Sequence, residues 1–374
     1  MSFLRTVQVV NVRWFNATAW YGLELARLLN AAGHESRVIA PAGTETFAKA
    51  ESMGLRPLAM PLNTGNPLAF PGLLRDMARL IRDFRPDVVN CHRGESFLFW
   101  GMLKRMGGYA LVRTRGDQRL PKGNLPNRIL HTRVADAVVA TNSVMARHFS
   151  EKMRVPADRL YTVLGGVDTA RFRFDPEGRA AVRARYGFTD RDVVVGLLGR
   201  FDLVKGQKEA IAALARLVGG GLRNIRLLLL GFSTATLQEE VEAWIRGAGM
   251  EAYVTITGKV PDVAACLSAL DVGLVASLWS ETIARAALEI MACGRPLVST
   301  SVGVMPDLLP ASALTPPGDV GALADLLRRA ATDADWRREL ARACSERIAT
   351  LGDRDFLDQT LAVYADACAR RRPS

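Results

Sequence analysis

The sequence predicts an α/β protein of two doubly wound, parallel-sheet domains. Strand and helix signals alternate through the first half of the 374 residues, and a second alternation begins near Val193. Between them, residues 165–176 interrupt the pattern with two glycines and a proline. Such alternation is typical of parallel sheets covered by helices. We expect domains over residues 1–168 and 169–352, and a C-terminal helix in 353–374 that packs back toward the first domain.

In the first domain, five short apolar runs are the expected strands: Thr6–Val12, Ser36–Ala40, Asp87–Asn90, Ala110–Arg113 and Ala137–Ala140. Helices are expected over Ala17–Ala32 and Leu73–Phe84, where apolar residues recur at helical spacing.

In the second domain, Val193–Leu198 lacks polar alternation, as a strand buried on both faces requires. The other expected strands are Arg226–Leu230, Tyr253–Thr257, Val272–Val275 and Pro296–Ser299, and the expected helices span 206–219, 234–247, 262–269 and 282–293.

Composition narrows the class of protein. The hydrophobic share of 49% and the charged share of 23% are those of a soluble globular chain. No apolar run approaches the ~20 residues of a membrane span, and the first residues do not resemble a secretory signal. The five cysteines lack metal-ligand spacing, so we expect free thiols and no metal site. These observations predict a cytoplasmic protein.

The positive charge is concentrated in the first half of the chain. Residues 1–175 hold 25 Lys and Arg against 14 Asp and Glu, whereas the remaining residues hold 24 of each. A one-sided positive field favours anionic partners, such as a membrane surface, a nucleic acid or a phosphorylated substrate. A general bias toward arginine is the alternative explanation. A nucleic-acid role has no motif of interleaved basic and aromatic residues to support it.

Ligands of open parallel sheets bind beyond the carboxyl ends of the strands. Directly after Val193–Leu198 come Gly199, which allows a tight turn, and Arg200 and Lys205, whose charges suit phosphate oxygens. Two solvated surface cations are the alternative interpretation.

Two glutamates follow the strand Val272–Val275. Glu281 lies at the expected strand-to-helix turn, where the backbone N–H groups of Thr282, Ile283 and Ala284 would open the helix as an anion site. Glu289 lies two turns later among apolar residues, so its carboxylate needs a partner. Sugar or ribose hydroxyls would serve, and a purely structural network is the alternative.

Several motifs resemble the retaining group 1 (family four) glycosyltransferases, which have the GT-B fold of two Rossmann-like domains facing across a cleft. They are Gly258-Lys-Val-Pro-Asp, Ala269-Leu-Asp-Val, Ser277-Leu-Trp-Ser-Glu281, Glu289-Ile-Met-Ala-Cys-Gly-Arg-Pro, Gly303-Val-Met-Pro-Asp307 and Leu164-Gly-Gly-Val-Asp168. The resemblance spans nearly the whole chain and is stronger in the second half.

The resemblance implies roles in the second domain. Arg200 and Lys205 would bind the donor diphosphate and act in catalysis with Glu281. Glu289 would hold the ribose hydroxyls, and Glu281 would hold the donor sugar. The other implied donor contacts are Gly199, Lys259 and Val260 beside the base, Ser280, Thr282, Ile283 and Ala284. The chemistry needs no metal and no cofactor, and a UDP-sugar is the expected donor.

The first domain would bind the acceptor, and here the sequence departs from the family. Many members carry a histidine after the strand that corresponds to Ala110–Arg113; this chain has none, and Asp117 is the nearest replacement as a catalytic residue. The expected acceptor contacts are Asn16, Ala17, Thr18, His92, Arg113, Arg115 and Arg119. The loop Asn16-Ala-Thr-Ala19 lacks the usual glycine pair and is closer to members that build lipopolysaccharide-type glycans.

We therefore expect a hexosyl-type glycosyltransferase that acts on an anionic glycan or glycolipid in lipopolysaccharide or other cell-envelope glycan biosynthesis. It would be cytoplasmic and peripheral on the inner face of the inner membrane. Two alternatives stay open. One is a nucleotide-sugar epimerase on the same fold, and the other is a non-catalytic nucleotide-sugar-binding protein, which the missing histidine motivates.

Overall fold

The computed structural model describes residues 3–117 and 119–371. The chain divides into two compact units, one of residues 1–165 with 353–374 and the other of residues 166–352. The division falls at Gly165–Gly166, inside the glycine-containing stretch where the sequence pattern is interrupted. Each unit is built on its own sheet, and each is described separately below.

The first unit contains a seven-stranded parallel sheet in the order β3-β2-β1-β4-β5-β6-β7. Its strands are β1 (Arg5–Val9), β2 (Glu35–Ala40), β3 (Leu58–Ala59), β4 (Val88–Cys91), β5 (Ala110–Arg115), β6 (Ala137–Ala140) and β7 (Leu160–Thr162). Its helices are α1 (Ala17–Ala31), α2 (Glu45–Ser52), α3 (Phe70–Phe84), α4 (Phe97–Gly107), α5 (Leu125–Ile129) and α6 (Ser143–Glu151), and a short π-helix spans Leu130–Val134.

The core of the first unit lies on both sides of this sheet. Val7, Val9 and Val89 pack with the inner residues of α3 and α4, among them Met77 and Trp100. On the other side, Val10, Val38 and residues of α1 such as Leu23 form a second cluster. Because β1, β4 and β6 are covered on both faces, they are buried throughout apart from Arg5 at the start of β1, as central parallel strands require.

The second unit contains a six-stranded parallel sheet in the order β10-β9-β8-β11-β12-β13. Its strands are β8 (Val193–Leu198), β9 (Ile225–Leu230), β10 (Val254–Ile256), β11 (Val272–Val275), β12 (Leu297–Thr300) and β13 (Leu314–Thr315). Its helices are α7 (Pro176–Arg185), α8 (Gln207–Gly219), α9 (Gln238–Gly247), α10 (Val263–Ser268), α11 (Arg285–Ala292), α12 (Met305–Leu308), α13 (Val320–Thr332) and α14 (Ala334–Ile348).

The C-terminal helix α15 (Asp353–Ala369) belongs to the first unit. Its Tyr364 hydroxyl is fully buried and accepts hydrogen bonds from Gln8 Nε2 of β1 at 3.1 Å and from Asn90 Nδ2 of β4 at 2.9 Å. Its Phe356 ring packs edge-on against Tyr21 of α1. The last helix of the chain thus completes the core of the domain that contains the first strand.

The predicted fold class is confirmed: the chain forms two parallel-sheet α/β domains. In each sheet the strand order reverses once, between β1 and β4 in the first unit and between β8 and β11 in the second. The loops that follow the two central strands leave a crevice at such a point, and this is where open α/β sheets bind ligands.

Two predicted boundaries were wrong in ways that affect the site. The first strand ends at Val9 rather than Val12, because the chain turns there and the Val12 N–H donates to the Val10 carbonyl. The helix expected over 282–293 begins only at Arg285. The residue before it, Ala284, has a left-handed backbone with φ of +52°, and this conformation interrupts a right-handed helix.

Candidate active site

Lys205 and Glu281 meet at the point where the strand order of the second sheet reverses. Lys205 lies in the turn after β8, and Glu281 lies in the loop after the adjacent strand β11. The Lys205 Nζ donates to Glu281 Oε1 at 2.5 Å, and the Ser277 hydroxyl donates to the same oxygen at 2.6 Å. The Glu281 side chain is only 8% exposed. The structure thus brings together the predicted phosphate ligand and the predicted sugar ligand.

Two glycines allow the backbone to hold this pair. At Gly206, with φ of +70°, a Cβ atom would lie 2.0 Å from the Ala276 carbonyl oxygen. At Gly303, with φ of +57°, a Cβ would lie 2.0 Å from the Glu281 carbonyl oxygen, which accepts a hydrogen bond from Val304 N–H at 2.7 Å. Only glycine fits such contacts without a shift of the backbone. The turns that carry Lys205 and Glu281 are therefore closely fitted to their neighbours.

Glu289 is buried in α11 and already has a cationic partner. Its Oε1 accepts a hydrogen bond from Arg285 Nη2 at 2.9 Å, one helical turn earlier. Burial raises the pKa of the Glu289 carboxyl, while the charges of Arg285 and Arg171 oppose the increase. The sequence predicted that Glu289 needs a partner but did not identify Arg285, although the i,i+4 spacing is the usual signal for such a pair.

The proposed anion site at the helix start was wrong in its details. Thr282, Ile283 and Ala284 precede α11 and are not its first turn. Ile283 and Ala284 are buried, whereas Thr282 and Ser280 are half-buried. These residues form the loop between Glu281 and the helix, so any contact of their backbone with a ligand would be a loop contact.

The remaining predicted donor residues lie along the carboxyl edge of the same sheet. Arg200 is 53% exposed, and its Nη2 lies 2.8 Å from Asp202 Oδ2. The Gln207 side chain donates to the Arg200 carbonyl at 2.9 Å and is itself buried. Gly199 and Val260 are half-buried. Lys259 is exposed with its Nζ 4.6 Å from the centre of the Phe232 ring, an exposed aromatic after β9 that the sequence analysis missed.

In the first unit, the first turn of α1 contacts the segment after β5. The buried Thr18 hydroxyl donates to the Gly116 carbonyl at 3.0 Å. Asn16 is exposed and caps α1, its side chain accepting a hydrogen bond from Ala19 N–H at 3.1 Å. Ala17 is the first residue of the helix and is half-buried. The structure therefore gives Asn16 and Thr18 structural contacts, and their acceptor role stays a prediction.

His92 and Arg113, both expected acceptor contacts, are buried, and their acceptor role stays a prediction. Each is 1% exposed. The His92 Nε2 lies 3.0 Å from Gln8 Oε1, and burial together with the charge of Arg113 lowers the pKa of His92 to about 3. Arg113 donates from Nη1 to the carbonyls of Cys91 and Thr114, and burial lowers its pKa to about 10, so it stays charged at neutral pH.

Arg115, Asp117 and Arg119 line a pocket of about 700 Å³ in the first unit. Arg115 Nη1 lies 3.5 Å from Asp117 Oδ2, and Arg115 Nη2 donates to the Arg119 carbonyl at 2.7 Å. The other lining residues, which the sequence analysis missed, are Arg93, Gly94, Glu95 and Asn127. Arg93 and Glu95 form an ion pair at 3.0 Å. The pocket thus combines three arginines with two carboxylates.

Two further properties bear on the kind of protein. Within residues 3–117 and 119–371, no cluster of three or more His, Cys, Asp or Glu side chains has the arrangement of a metal site. In the same part of the chain, every helix is too short or too polar to cross a membrane.

The fold agrees with the protein families that the chain matches. Residues 192–333 match the family model described as glycosyl transferases group 1, and residues 18–171 match the model described as glycosyltransferase family 4. Together with the two parallel-sheet domains, these matches define the class: the chain carries the two domains of a group 1 glycosyltransferase of GT-B fold.

The individual relatives share about 30% of their residues with this chain over the matched regions. D-inositol 3-phosphate glycosyltransferase of Saccharomonospora viridis is 31% identical over 249 residues, which cover 64% of this chain and 57% of that protein. The 2-deoxystreptamine N-acetyl-D-glucosaminyltransferase of Streptomyces fradiae is 28% identical over 80% of this chain and 75% of its own length. The chain spans 57%, 38%, 56% and 46% of the length of four inositol-phosphate relatives and 74% of the length of another.

Among solved structures, a glycosyltransferase from Rickettsia africae superposes with a TM-score of 0.87 at 16% identity, covering 98% of this chain and 99% of its own. At this level of identity, the likeness concerns the fold.

Proposed function

We propose that the protein is a retaining glycosyltransferase that moves a sugar from a nucleotide donor, a UDP-sugar, to an acceptor glycan or glycolipid without a metal ion. The observation that carries the proposal is the contact of Lys205 with Glu281 at the reversal point of the second sheet. A cation for phosphate and a carboxylate for hydroxyl groups are the two chemistries that a sugar diphosphate requires side by side.

From the geometry we assign each residue to one part of the donor. Both hydrogen bonds to the Glu281 carboxylate reach Oε1, from Lys205 and Ser277, so we assign Oε2 to a hydroxyl of the donor sugar. The Lys205 ammonium would turn toward the diphosphate. As the glycosidic bond breaks, negative charge grows on the leaving diphosphate, and cations fixed beforehand stabilise that charge. The exposed Arg200 would add a second cation.

Glu289 would hold the ribose. Its carboxylate is buried and oriented by Arg285, so its position is set before the donor arrives. Such preorganisation reduces the conformational entropy that binding has to overcome. The raised pKa of the carboxyl indicates that burial alone is unfavourable for its charge, and hydrogen bonds from two ribose hydroxyls would compensate.

The acceptor would bind in the first unit and would be anionic, in cell-envelope glycan synthesis such as that of lipopolysaccharide. Support comes from the excess of basic residues in the first half of the chain and from the arginine-lined pocket after β4 and β5. The Saccharomonospora relative is named for an acceptor that also carries phosphate, inositol phosphate. Asp117, which lines the pocket, stays the proposed replacement for the missing histidine. We place the enzyme at the cytoplasmic face of the membrane as a peripheral protein.

A transfer assay tests the proposal. The full chain is incubated with UDP-, GDP- and ADP-glucose, with and without inositol phosphate or 2-deoxystreptamine, in the presence of EDTA. We expect consumption of a UDP-sugar that depends on acceptor, and a product whose anomeric proton shows the donor's configuration by NMR. The variant Glu281→Gln should lose this activity.

Each alternative gives a different result in the same assay. A new sugar isomer formed from the nucleotide sugar alone would indicate an epimerase. Nucleotide-sugar binding without any turnover would indicate a binding protein. Loss of activity in EDTA that magnesium or manganese restores would contradict the metal-independent mechanism, and a product of inverted configuration would contradict retention.

A further inference from the structure

The pocket in the first unit lies at the carboxyl ends of β4 and β5, beside the point between β1 and β4 where the strand order reverses. Its walls come from the β4–α4 loop, from the segment after β5 and from Asn127 of α5. Arg93, Arg115 and Arg119 line it, and the carboxylates of Glu95 and Asp117 face it as well. It is therefore a basic pocket whose positive charge is only partly compensated.

A buried guanidinium group lies directly behind this pocket. Arg113 is 1% exposed; its Nη1 donates to two backbone carbonyls, but its buried Nη2 has no hydrogen-bond partner among the described residues. Gly94 of the lining is close to this donor, because a Cβ atom at Gly94 would lie 3.7 Å from Nη2. Leaving a buried charged donor unsatisfied is costly. The absence of a side chain at Gly94 lets a ligand in the pocket approach this donor.

The start of α4 adds to the positive field. This helix has 11 residues, and the residue before it, Ser96, has a left-handed backbone with φ of +65°. A serine at this position usually caps the helix with its hydroxyl, but here the side chain makes no capping hydrogen bond, and its buried hydroxyl has no partner among the described residues. The positive end of the helix dipole therefore stays uncompensated by its own cap.

We propose that this pocket binds a phosphate group of the acceptor, with Arg93, Arg115 and Arg119 as direct ligands and Arg113 as the buried donor behind them. This proposal rests on the proposed function, because the bound molecule is an acceptor only if the protein transfers a sugar. Counting Arg113, four cations face two carboxylates, so the site carries an excess of two positive charges. A phosphate monoester carries about −1.5 to −2 at neutral pH and balances this excess, whereas a carboxylate balances only half of it.

The existing ion pairs do not oppose such a ligand. The Arg93 and Glu95 side chains are 36% and 37% exposed, and pairs of this kind contribute little to stability. The contact between Arg115 Nη1 and Asp117 Oδ2 is long at 3.5 Å, whereas Arg115 Nη2 fixes the loop by its bond to the Arg119 carbonyl. Arg93 and Arg119 can therefore turn to phosphate while Arg115 keeps the wall of the pocket in place.

The test measures phosphate binding directly, by isothermal titration of the full chain with inorganic phosphate and, separately, with acetate. The titrations with phosphate and acetate use the background variant Lys205→Ala, which removes a phosphate ligand of the proposed donor site. The pocket variant is the pair Arg93→Ala and Arg119→Ala, and the matched control is the pair Arg56→Ala and Arg75→Ala, two exposed arginines of the first unit outside the pocket lining. We expect phosphate to bind at least tenfold more weakly to the pocket variant and equally well to the control.

The source of the phosphate is tested in two further arms, with soluble glycerol phosphate and with phosphatidic acid vesicles. Loss of binding in the pocket variant in either arm supports the site and identifies whether the phosphate is soluble or part of a lipid. Equal phosphate affinity in the pocket variant and the control would overturn the proposal, and so would acetate binding as tight as phosphate.

Titration with UDP separates this inference from the proposed function. The Arg93→Ala, Arg119→Ala variant with Lys205 intact should bind UDP like the wild type, because the proposed donor residues are unchanged. If phosphate binding depends on the pocket arginines but no sugar transfer is found, the phosphate site is supported and the enzyme assignment is contradicted. If sugar transfer is found but phosphate affinity does not depend on the pocket arginines, the enzyme assignment is supported and the phosphate site is ruled out.

Discussion

At the scale of single residues, the two site glutamates are buried in different electrostatic environments. Glu281 has an ammonium and a hydroxyl donor on one oxygen, and Glu289 has a guanidinium donor one helical turn away. Their sequence positions, after a strand and inside an apolar helix, allowed both to be predicted as site residues. The partners Ser277 and Arg285 were not predicted, because serine and arginine at such positions are also ordinary surface residues.

His92 should make the protein less stable in acid. Its pKa is about 3 in the folded chain and about 6.5 when unfolded, so as the pH falls below about 6.5 the unfolded state takes up a proton that the folded state excludes. The contribution of neutral His92 to the free energy of unfolding is therefore fully present above pH 6.5. Below that pH the free energy of unfolding decreases by about 1.4 kcal/mol per pH unit for one proton. We expect His92→Gln to flatten this decline.

The measurement is urea unfolding of both proteins between pH 7 and pH 4.5. The amide of glutamine can keep the contact with Gln8 without titrating. His131, whose pKa burial lowers to about 4, stays in both proteins and contributes the same slope to each. Parallel pH profiles for wild type and variant would show that His92 is not excluded from protonation by the fold.

At the scale of elements, several central strands were predicted with their exact bounds, whereas most edge strands were missed. The bounds of β6, β8 and β11 agree with the prediction, because strands buried on both faces appear as short continuous apolar runs. Three of the four edge strands, β3, β7 and β13, have only two or three residues and were missed, whereas the fourth, β10, lies within the predicted strand Tyr253–Thr257. The start of α11 was missed because it depends on a left-handed alanine, and alanine gives no sequence signal for that conformation.

Helix α4 presents the surface that we expect to meet a membrane. Leu98, Met102 and Met106 are 54%, 60% and 65% exposed and recur every four residues, with Arg105 exposed beside them. An exposed apolar stripe next to basic residues fits the surface of an anionic bilayer, where each basic side chain contributes about 1 kcal/mol. We expect the full chain to sediment with vesicles that contain anionic lipid, and less so as salt is added.

The variant Met102→Ser should weaken this sedimentation. The matched control is Leu237→Ser, which alters an equally exposed apolar residue of the second unit. Binding that is the same on neutral and anionic vesicles, or that responds equally to both variants, would rule out α4 as the docking surface.

At the scale of the whole molecule, the excess positive charge and the candidate donor residues belong to different halves of the chain. The basic residues lie in the half that holds the arginine-lined pocket, whereas Lys205, Glu281 and Glu289 lie in a half with balanced charge. Alternating strand and helix signals predicted both domains. The strand order that makes β8 and β11 neighbours could not be predicted from the sequence pattern, because it depends on long-range packing. Only the family resemblance implied that Lys205 and Glu281 belong to one donor site.

The pocket of the first unit shows the limit of sequence analysis most clearly. Arg115 and Arg119 were predicted because they follow a strand. Arg93 comes from the β4–α4 loop and Asn127 from helix α5, and only the fold brings them to the pocket. Arg113 was predicted as an acceptor contact, but its side chain is buried behind the pocket, because the alternation of side chains along a strand does not determine how a long side chain bends.

The central claim, that the second unit binds a nucleotide through Glu289, is tested most directly by isothermal titration of UDP into the wild type, Glu289→Ala and Glu346→Ala in EDTA. Glu346 is the matched control, because it also pairs with an arginine four residues earlier on a helix of the same unit but is exposed. Hydrogen bonds to a charged group contribute about 1.5–3 kcal/mol each. We expect at least tenfold weaker UDP binding by Glu289→Ala, with Glu346→Ala unchanged and both variants folded. Equal UDP affinity of all three proteins would contradict it.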